Sequence, residues 1–141
     1  MRLQDFDFRL YVFSTKDYVR DKDKYQILAD LKTKSEFMER NALKEPQVEL
    51  ELFTGFYDKK GRKLYENDIV VITGLKNFFQ IKGVLHFDGI AFCIKENNDG
   101  TSFYLHAFNP KDCKFEVIGN IHENPELLGV RNENKRLFCT I

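Results

Sequence analysis

The stretch Val48-Glu49-Leu50-Glu51-Leu52-Phe53-Thr54-Gly55-Phe56-Tyr57-Asp58-Lys59-Lys60-Gly61-Arg62-Lys63-Leu64-Tyr65-Glu66-Asn67-Asp68-Ile69-Val70-Val71-Ile72 decides the fold class. Val48, Leu50 and Leu52 alternate with Glu49 and Glu51, the two-residue period of a strand with one buried face and one wet face. Asp58-Lys59-Lys60-Gly61 then separates 53–57 from 62–65, and Gly61 supplies the positive φ that a hairpin turn needs. Glu66-Asn67-Asp68 makes a tight corner before 69–72, a β-branched run long enough for a buried strand. Gly74 closes that strand.

Downstream the same grammar continues. Ile81, Gly83, Leu85 and Phe87 share a strand face, Asp88-Gly89 supplies a favoured hairpin turn, and 90–95 returns. Asn97-Asn98-Asp99-Gly100 turns into a strand over 101–108, which Asn109-Pro110 breaks before 115–118. Short strands with turn signals at this spacing, and no long helices between them, predict a small curved or barrel-like antiparallel sheet.

Upstream, Phe6, Phe8, Leu10 and Val12 alternate with Asp5, Asp7, Arg9, Tyr11 and Phe13, which predicts a first strand. The charged stretch 15–24 reads as a solvated turn, and Tyr25, Ile27 and Ala29 as a second short strand. From Ser35 as N-cap, residues 35–45 are helix formers with Phe37, Met38, Ala42 and Leu43 on one side, which predicts a short helix ended by Pro46. The expected class is α+β, mainly β. Residues 1–46 form an N-terminal strand-and-helix portion, and 47–141 a β-barrel-like portion with a C-terminal tail.

Composition narrows the partners. The 141 residues suit one domain, or one core with a small appendage, and 43% hydrophobic residues, including 14 Phe, supply a core that needs no metal or disulfide scaffold. Lys+Arg and Asp+Glu are 22 each, so the global attraction that drives unspecific nucleic-acid binding is missing. Three cysteines with no C-x-x-C pair, and no apolar leader at the N-terminus, fit a reducing cytoplasm. No apolar run approaches the roughly 20 residues that cross a bilayer, so no membrane contact is expected.

Two strings carry a resemblance. Residues 48–70, with Thr54-Gly55, Asp58-Lys59-Lys60-Gly61 and Tyr65-Glu66-Asn67-Asp68-Ile69-Val70, form the first. The second is Phe115-Glu116-Val117-Ile118-Gly119-Asn120-Ile121-His122-Glu123-Asn124-Pro125-Glu126-Leu127-Leu128. In order and spacing they resemble the YopX-like family of phages and prophages, and Phe8-Arg9-Leu10-Tyr11 resembles that family's opening. Phe56, Lys60, Asn67 and His122 depart from the usual Leu, Asn, Gly and Tyr. Asn67 is conservative, because Asn tolerates the left-handed conformation better than other side chains. The resemblance implies a phage or prophage accessory protein and brings no catalytic residues with it. Read as physics, both strings steer corners: Asp68 can accept backbone N–H groups, and Pro125 opens a turn that drops Leu127 and Leu128 onto the sheet.

Chemistry-bearing residues are sparse. His86 and Cys93 repeat the spacing of His106 and Cys113, the ingredients of a two-His, two-Cys zinc set. The odd spacing puts the members of each pair on opposite faces of a continuous strand, although the hairpin and Pro110 between them can rearrange this, and no metal role and no cofactor are expected. Glu66 and Asp68 read as turn residues rather than an acid/base pair. No phosphate cradle, H-E-x-x-H or G-x-S-x-G is present, so no catalytic residues are assigned and the chain is expected not to be an enzyme.

The candidate nucleic-acid site is Lys59, Lys60, Arg62 and Lys63 with Tyr57, a basic hairpin beside aromatics. The aromatic surplus on strands such as 101–108 points instead to a subunit or partner interface. The leading expectation is therefore a non-enzymatic interaction or regulatory module whose partner is a second copy or a host or phage protein. Nucleic-acid binding through 59–63 is the alternative.

Overall fold

In the computed structural model, which describes residues 2–41 and 47–128, the chain divides into two units, Met1–Leu52 and Phe53–Ile141. The class is α+β, mainly β, with antiparallel strands in two sheets, one of them curled into a half-barrel. Strand β3 (Val48–Tyr57) runs through the division: its first half pairs in the first unit and its second half in the second.

The first unit contains β1 (Phe8–Val12), β2 (Asp17–Tyr18) and helix α1 (Lys24–Arg40). β1 pairs with β2 at Tyr11↔Tyr18 and with β3 from Phe8↔Leu52 to Val12↔Val48. Phe8 and Leu10 are buried, as the alternation requires, but so is Tyr11. Its ring lies edge-on at 5.3 Å from Phe13 and 5.1 Å from Tyr18, so an aromatic cluster covers what would otherwise be the wet face. Beside it Glu51, expected on the wet face of β3, is fully buried while Leu50, expected inside, is 45% exposed; the carboxylate goes in because Arg9 Nε lies 2.5 Å and the Tyr18 hydroxyl 2.9 Å from its Oε1. A carboxylate withdrawn from water survives only with such partners.

Lys24 opens α1 and is itself buried, donating to the Asp7 carboxylate and, at 3.0 Å, to the Phe8 carbonyl. Burial pushes the Lys24 ammonium down, but the hydrogen bond and charge of Asp7 outweigh it and raise the group above its ordinary value. This anchor corrects two expectations. Tyr25, Ile27 and Ala29 are helical rather than a second strand, and Ser35 lies inside the helix rather than at its N-cap. The governing spacing is Lys24, Ile27, Leu28, Leu31, Ser35 and Met38, the i, i+3, i+4, i+7 pattern of one helix face turned inward, while the two-residue alternation was incidental. The stretch read wholly as turn contributes the two-residue β2. The helix stops at Asn41, whose side-chain Nδ2 donates 2.7 Å to the Phe37 carbonyl; the expected stop at Pro46 lies outside the described residues.

In the second unit β3 pairs with β4 (Lys63–Tyr65) at Phe53↔Tyr65 and Tyr57↔Lys63, with a bulge between. Gly55 takes φ +86° there, and the Thr54 hydroxyl donates 2.9 Å to the Leu64 carbonyl, so the Thr-Gly pair is a bulge device. Next come β5 (Asp68–Thr73), β6 (Gln80–Phe87), β7 (Phe92–Glu96), β8 (Ser102–Tyr104) and β9 (Lys114–Asn120). They form one antiparallel sheet in the order β8-β7-β6-β5-β9. Leu64, Val70, Ile72, Leu85, Ile94, Leu105 and Phe115 are its core, each worth roughly 1.5–3 kcal/mol of apolar burial. The strand expected over 101–108 is only β8: the chain then folds into a 3-10 turn, Leu105–Ala107, because Leu105 drops into the core at 1% exposure.

The corner before β5 ties this sheet together. Asn67 has φ +70°, donates its N–H 2.8 Å to the Leu85 carbonyl and accepts the Ile121 N–H at 3.0 Å. Asp68, 2% exposed, accepts the Tyr65 N–H at 2.9 Å and sits opposite Asn120 in the β5/β9 register. Asn120 Oδ1 in turn accepts the N–H groups of His122 and Glu123 at 3.0 and 2.9 Å, closing the turn that opens into helical backbone at 126–128.

Close approach of β6 and β7 rests on Gly83, where a Cβ would lie 2.1 Å from the Lys95 carbonyl oxygen. Gly83→Ala is expected to destabilise by about 1–3 kcal/mol, since backbone must give way. Urea unfolding followed by circular dichroism measures it, and a midpoint equal to wild type refutes the account.

Candidate interaction surfaces

The basic hairpin is a tightly built turn. Asp58 is 6% exposed; its Oδ1 accepts the N–H of Lys60 at 2.9 Å and of Arg62 at 2.8 Å, and its Oδ2 the Arg62 Nε–H at 2.9 Å. Burial pushes the Asp58 carboxyl up, but these hydrogen bonds and the Arg62 charge outweigh it and hold the group below its ordinary value. The turn also caps the outer edge of β9: the Lys59 N–H meets the Phe115 carbonyl at 2.8 Å, and an Arg62 guanidinium N–H meets the Val117 carbonyl at 3.1 Å.

The hairpin cations have occupations of their own. Lys59 Nζ pairs with Glu116 at 2.8 Å, and Lys63 Nζ stands 5.1 Å from the Phe53 ring centre. Arg62 is held by Asp58, while Lys60 reaches Glu116 only through longer-range attraction. The Lys59 hydrogen bond and charge hold the Glu116 carboxyl below its ordinary value. Tyr57 is 53% exposed, edge-on to Phe53 at 5.4 Å. The fold thus brings the five sequence-chosen residues to one hairpin, with edge-capping as a role for two of them.

A second grouping lies across β6, β7 and β8, where His86 faces Cys93 and Cys93 faces Tyr104. Asp88 Oδ1 accepts the N–H groups of Ile90 and Ala91, each at 2.9 Å, and the Cys93 thiol donates to the Ala91 carbonyl at 3.7 Å. Burial first, and then Asp88, push the Cys93 thiol up, so it stays protonated and weakly nucleophilic. Of the zinc set considered from sequence, His106 stacks on Tyr104 at 5.3 Å and Cys113 packs against the core. Among the described residues the four form no ligand cluster. Asp68 is buried in the corner, so it and Glu66 present no open acid/base pair.

The sheet's ends carry what sequence reasoning missed. In the β5–β6 loop Phe78 is 91% exposed and Leu75 60%, although the loop is closed by bonds from Gly74 N to Phe79 O at 2.9 Å and from Asn77 N to Gly74 O at 3.0 Å. Lys76 and Asn77 both take positive φ, +56° and +57°, a strain of order 1 kcal/mol each for residues with side chains. Phe79 turns back against Phe108 at 6.0 Å while Phe78 points out. The adjacent Phe78-Phe79 pair after a glycine was the available signal. At the opposite end the β6–β7 hairpin exposes Ile90 to 83% and Phe87 to 42%.

Two measurements probe these sites. Asp58→Ala is expected to cost about 1.5–3 kcal/mol at neutral pH, the range for hydrogen bonds to a charged group. Because the Asp58 carboxyl lies below its ordinary value, its contribution is present above the ordinary carboxylate range and is lost as pH falls through the depressed value. The melting-temperature gap between wild type and Asp58→Ala should therefore hold from pH 7 to about pH 4 and shrink below it. Iodoacetamide at pH 8, with mass mapping, should modify half-buried Cys113 well before Cys93; equal rates contradict the Cys93 assignment.

Solved structures similar to this chain include protein yopX from Bacillus subtilis, with 23% identity and TM-score 0.43 over 58% of this chain, and protein EF1440 from Enterococcus faecalis, with 25% identity and TM-score 0.40 over 62%. The chain spans 60% of the length of each. No curated protein matches it. No helix among the described residues is long and apolar enough to cross a membrane. The YopX protein family pattern matches residues 6–129, from the opening strand through both corner-forming strings, and the chain belongs to that family.

Proposed function

We propose that the chain is a non-enzymatic interaction module, a phage or prophage accessory protein that works in the bacterial cytoplasm by binding another protein. The observation that carries this reading is Phe78, 91% exposed on a loop whose backbone is fixed by its own hydrogen bonds and by two residues of positive φ. An aromatic anchor that is already rigid loses little conformational freedom on docking, which is how a small contact gains affinity. The chemistry supports the same side: the Cys93 thiol, which faces a histidine, is pushed up by burial first and then by Asp88, which weakens it as a nucleophile.

Nucleic-acid binding through Lys59, Lys60, Arg62, Lys63 and Tyr57 is the second reading. It draws on the exposed Tyr57 and the outward lysines, against hairpin charges already met by Asp58 and Glu116.

The test is affinity capture from cells carrying the prophage, with and without nuclease. A partner that resists nuclease and is lost with Phe78→Ser, at unchanged melting temperature, is expected. Capture that collapses with nuclease, together with a salt-sensitive oligonucleotide shift abolished by reversing Lys59, Lys60, Arg62 and Lys63, would overturn the first reading for the second.

A further inference from the structure

The two ends of the five-stranded sheet differ in charge as well as both exposing apolar side chains. At one end the loop 74–79 and the segment 108–114 come together through the Phe79–Phe108 contact and the Thr73↔Lys114 pairing. They carry exposed Lys76, Lys111 and Lys114 against the single acid Asp112, around Leu75 and Phe78. The neighbouring strand ends, with Lys82 and Lys95 against Glu96 and Asp99, leave that balance unchanged.

At the other end the corner 66–68, the hairpin 87–92 and the turn 120–124 are joined by the bonds of Asn67 to Leu85 and Ile121. These segments contain Glu66, Asp68, Asp88 and Glu123 and no lysine or arginine, around Phe87 and Ile90. Asp68 is buried and Glu66 half-buried, and Asp88 and Glu123 are exposed.

We infer that the second unit associates head to tail with a second copy of the chain, the lysine-rimmed Leu75/Phe78 end of one seated on the acid-rimmed Phe87/Ile90 end of the next. The inference rests on the interaction-module reading and names its partner. Each apolar patch is too small alone for a stable interface, which needs about 800 Å² on each side. Opposite charges around the two patches add attraction and fix which end meets which, while a like-end pairing brings lysines against lysines or acids against acids. Such a contact is heterologous: one copy presents both ends, so association extends beyond a dimer or closes into a ring.

Sedimentation velocity across a concentration series of the full chain reads this out. Wild type should show a mass that rises with concentration and falls with added salt, because the charged rims are screened. Phe78→Ser and Ile90→Ser lie at fully exposed positions, so both should keep the wild-type melting temperature, and each alone should weaken association at least tenfold. Their equimolar mixture should recover a one-to-one heterodimer and nothing larger, since one intact end of each kind remains. Lys76→Glu combined with Lys114→Glu should weaken association as the serine variants do.

A wild type that stays monomeric at every concentration, or a mixture that stays monomeric, overturns the inference. If wild type is monomeric yet Phe78→Ser still loses a nuclease-resistant partner in the capture experiment, the head-to-tail contact fails and the interaction-module reading stands. If both are negative, both fail.

Discussion

The constraint on which the sheet depends is the corner at Asn67 and Asp68. A non-glycine residue at φ +70° is unfavourable by itself, and it persists because both backbone groups of Asn67 are used, one by Leu85 and the other by Ile121. Asp68 then takes the Tyr65 N–H inside the protein and starts the most buried strand opposite Asn120. Loss of any one of these bonds leaves a polar group in the interior without a partner, so they stand or fall together. The two strings that mark the family are far apart in sequence and meet at this place. Their key positions are accounted for by geometry, with Gly55 as a bulge, Asn67 in the family's glycine position as a left-handed corner and Asn120 as a turn closer.

The first unit solves a different problem with different means. Its strands are few and its helix buries only a partial stripe, and polar groups do much of the positioning. Glu51 between Arg9 and Tyr18, and Lys24 between Asp7 and the Phe8 carbonyl, fix β1 relative to β3 and to the start of α1. Buried ion pairs contribute less net stability than apolar side chains of the same size, but removing one partner is severe, so they fix register more than they add stability. Next to them a crevice of about 160 Å³ remains between Leu28 and Leu31 of the helix and Leu10, Val48 and Leu50 of the strands.

Function follows from what the fold leaves at its surface. Lys59, Arg62 and Lys63, which look available in the sequence, are engaged on the hairpin itself and on the edge of β9, and the hairpin covers one of the two open edges of the sheet. Apolar residues that the sequence would assign to a core instead stand on strand-connecting loops. These exposed apolar side chains stand on rigid, hydrogen-bonded turns, and the proposed interaction role rests on them.

The sequence by itself determined the class, the family and most turns, because those are local. The glycine of the 58–61 turn, the left-handed tolerance of Asn67 and the β-branched run of β5 each act within a few residues, and each appears in the structure where expected; alternation in 48–52 makes a strand as expected but not its faces, since Glu51 is buried and Leu50 exposed. Tertiary structure decided the rest. Residues 24–29 became helix because the Lys24–Asp7 contact spans 17 positions, and the strand beyond Tyr104 ended because Leu105 had a core to enter. Whether Lys59 is free or paired, whether Phe78 is inside or out, and whether Cys93 can react all depend on neighbours distant in the chain. Local pattern fixes backbone conformation, whereas the availability of a side chain is a property of everything folded around it.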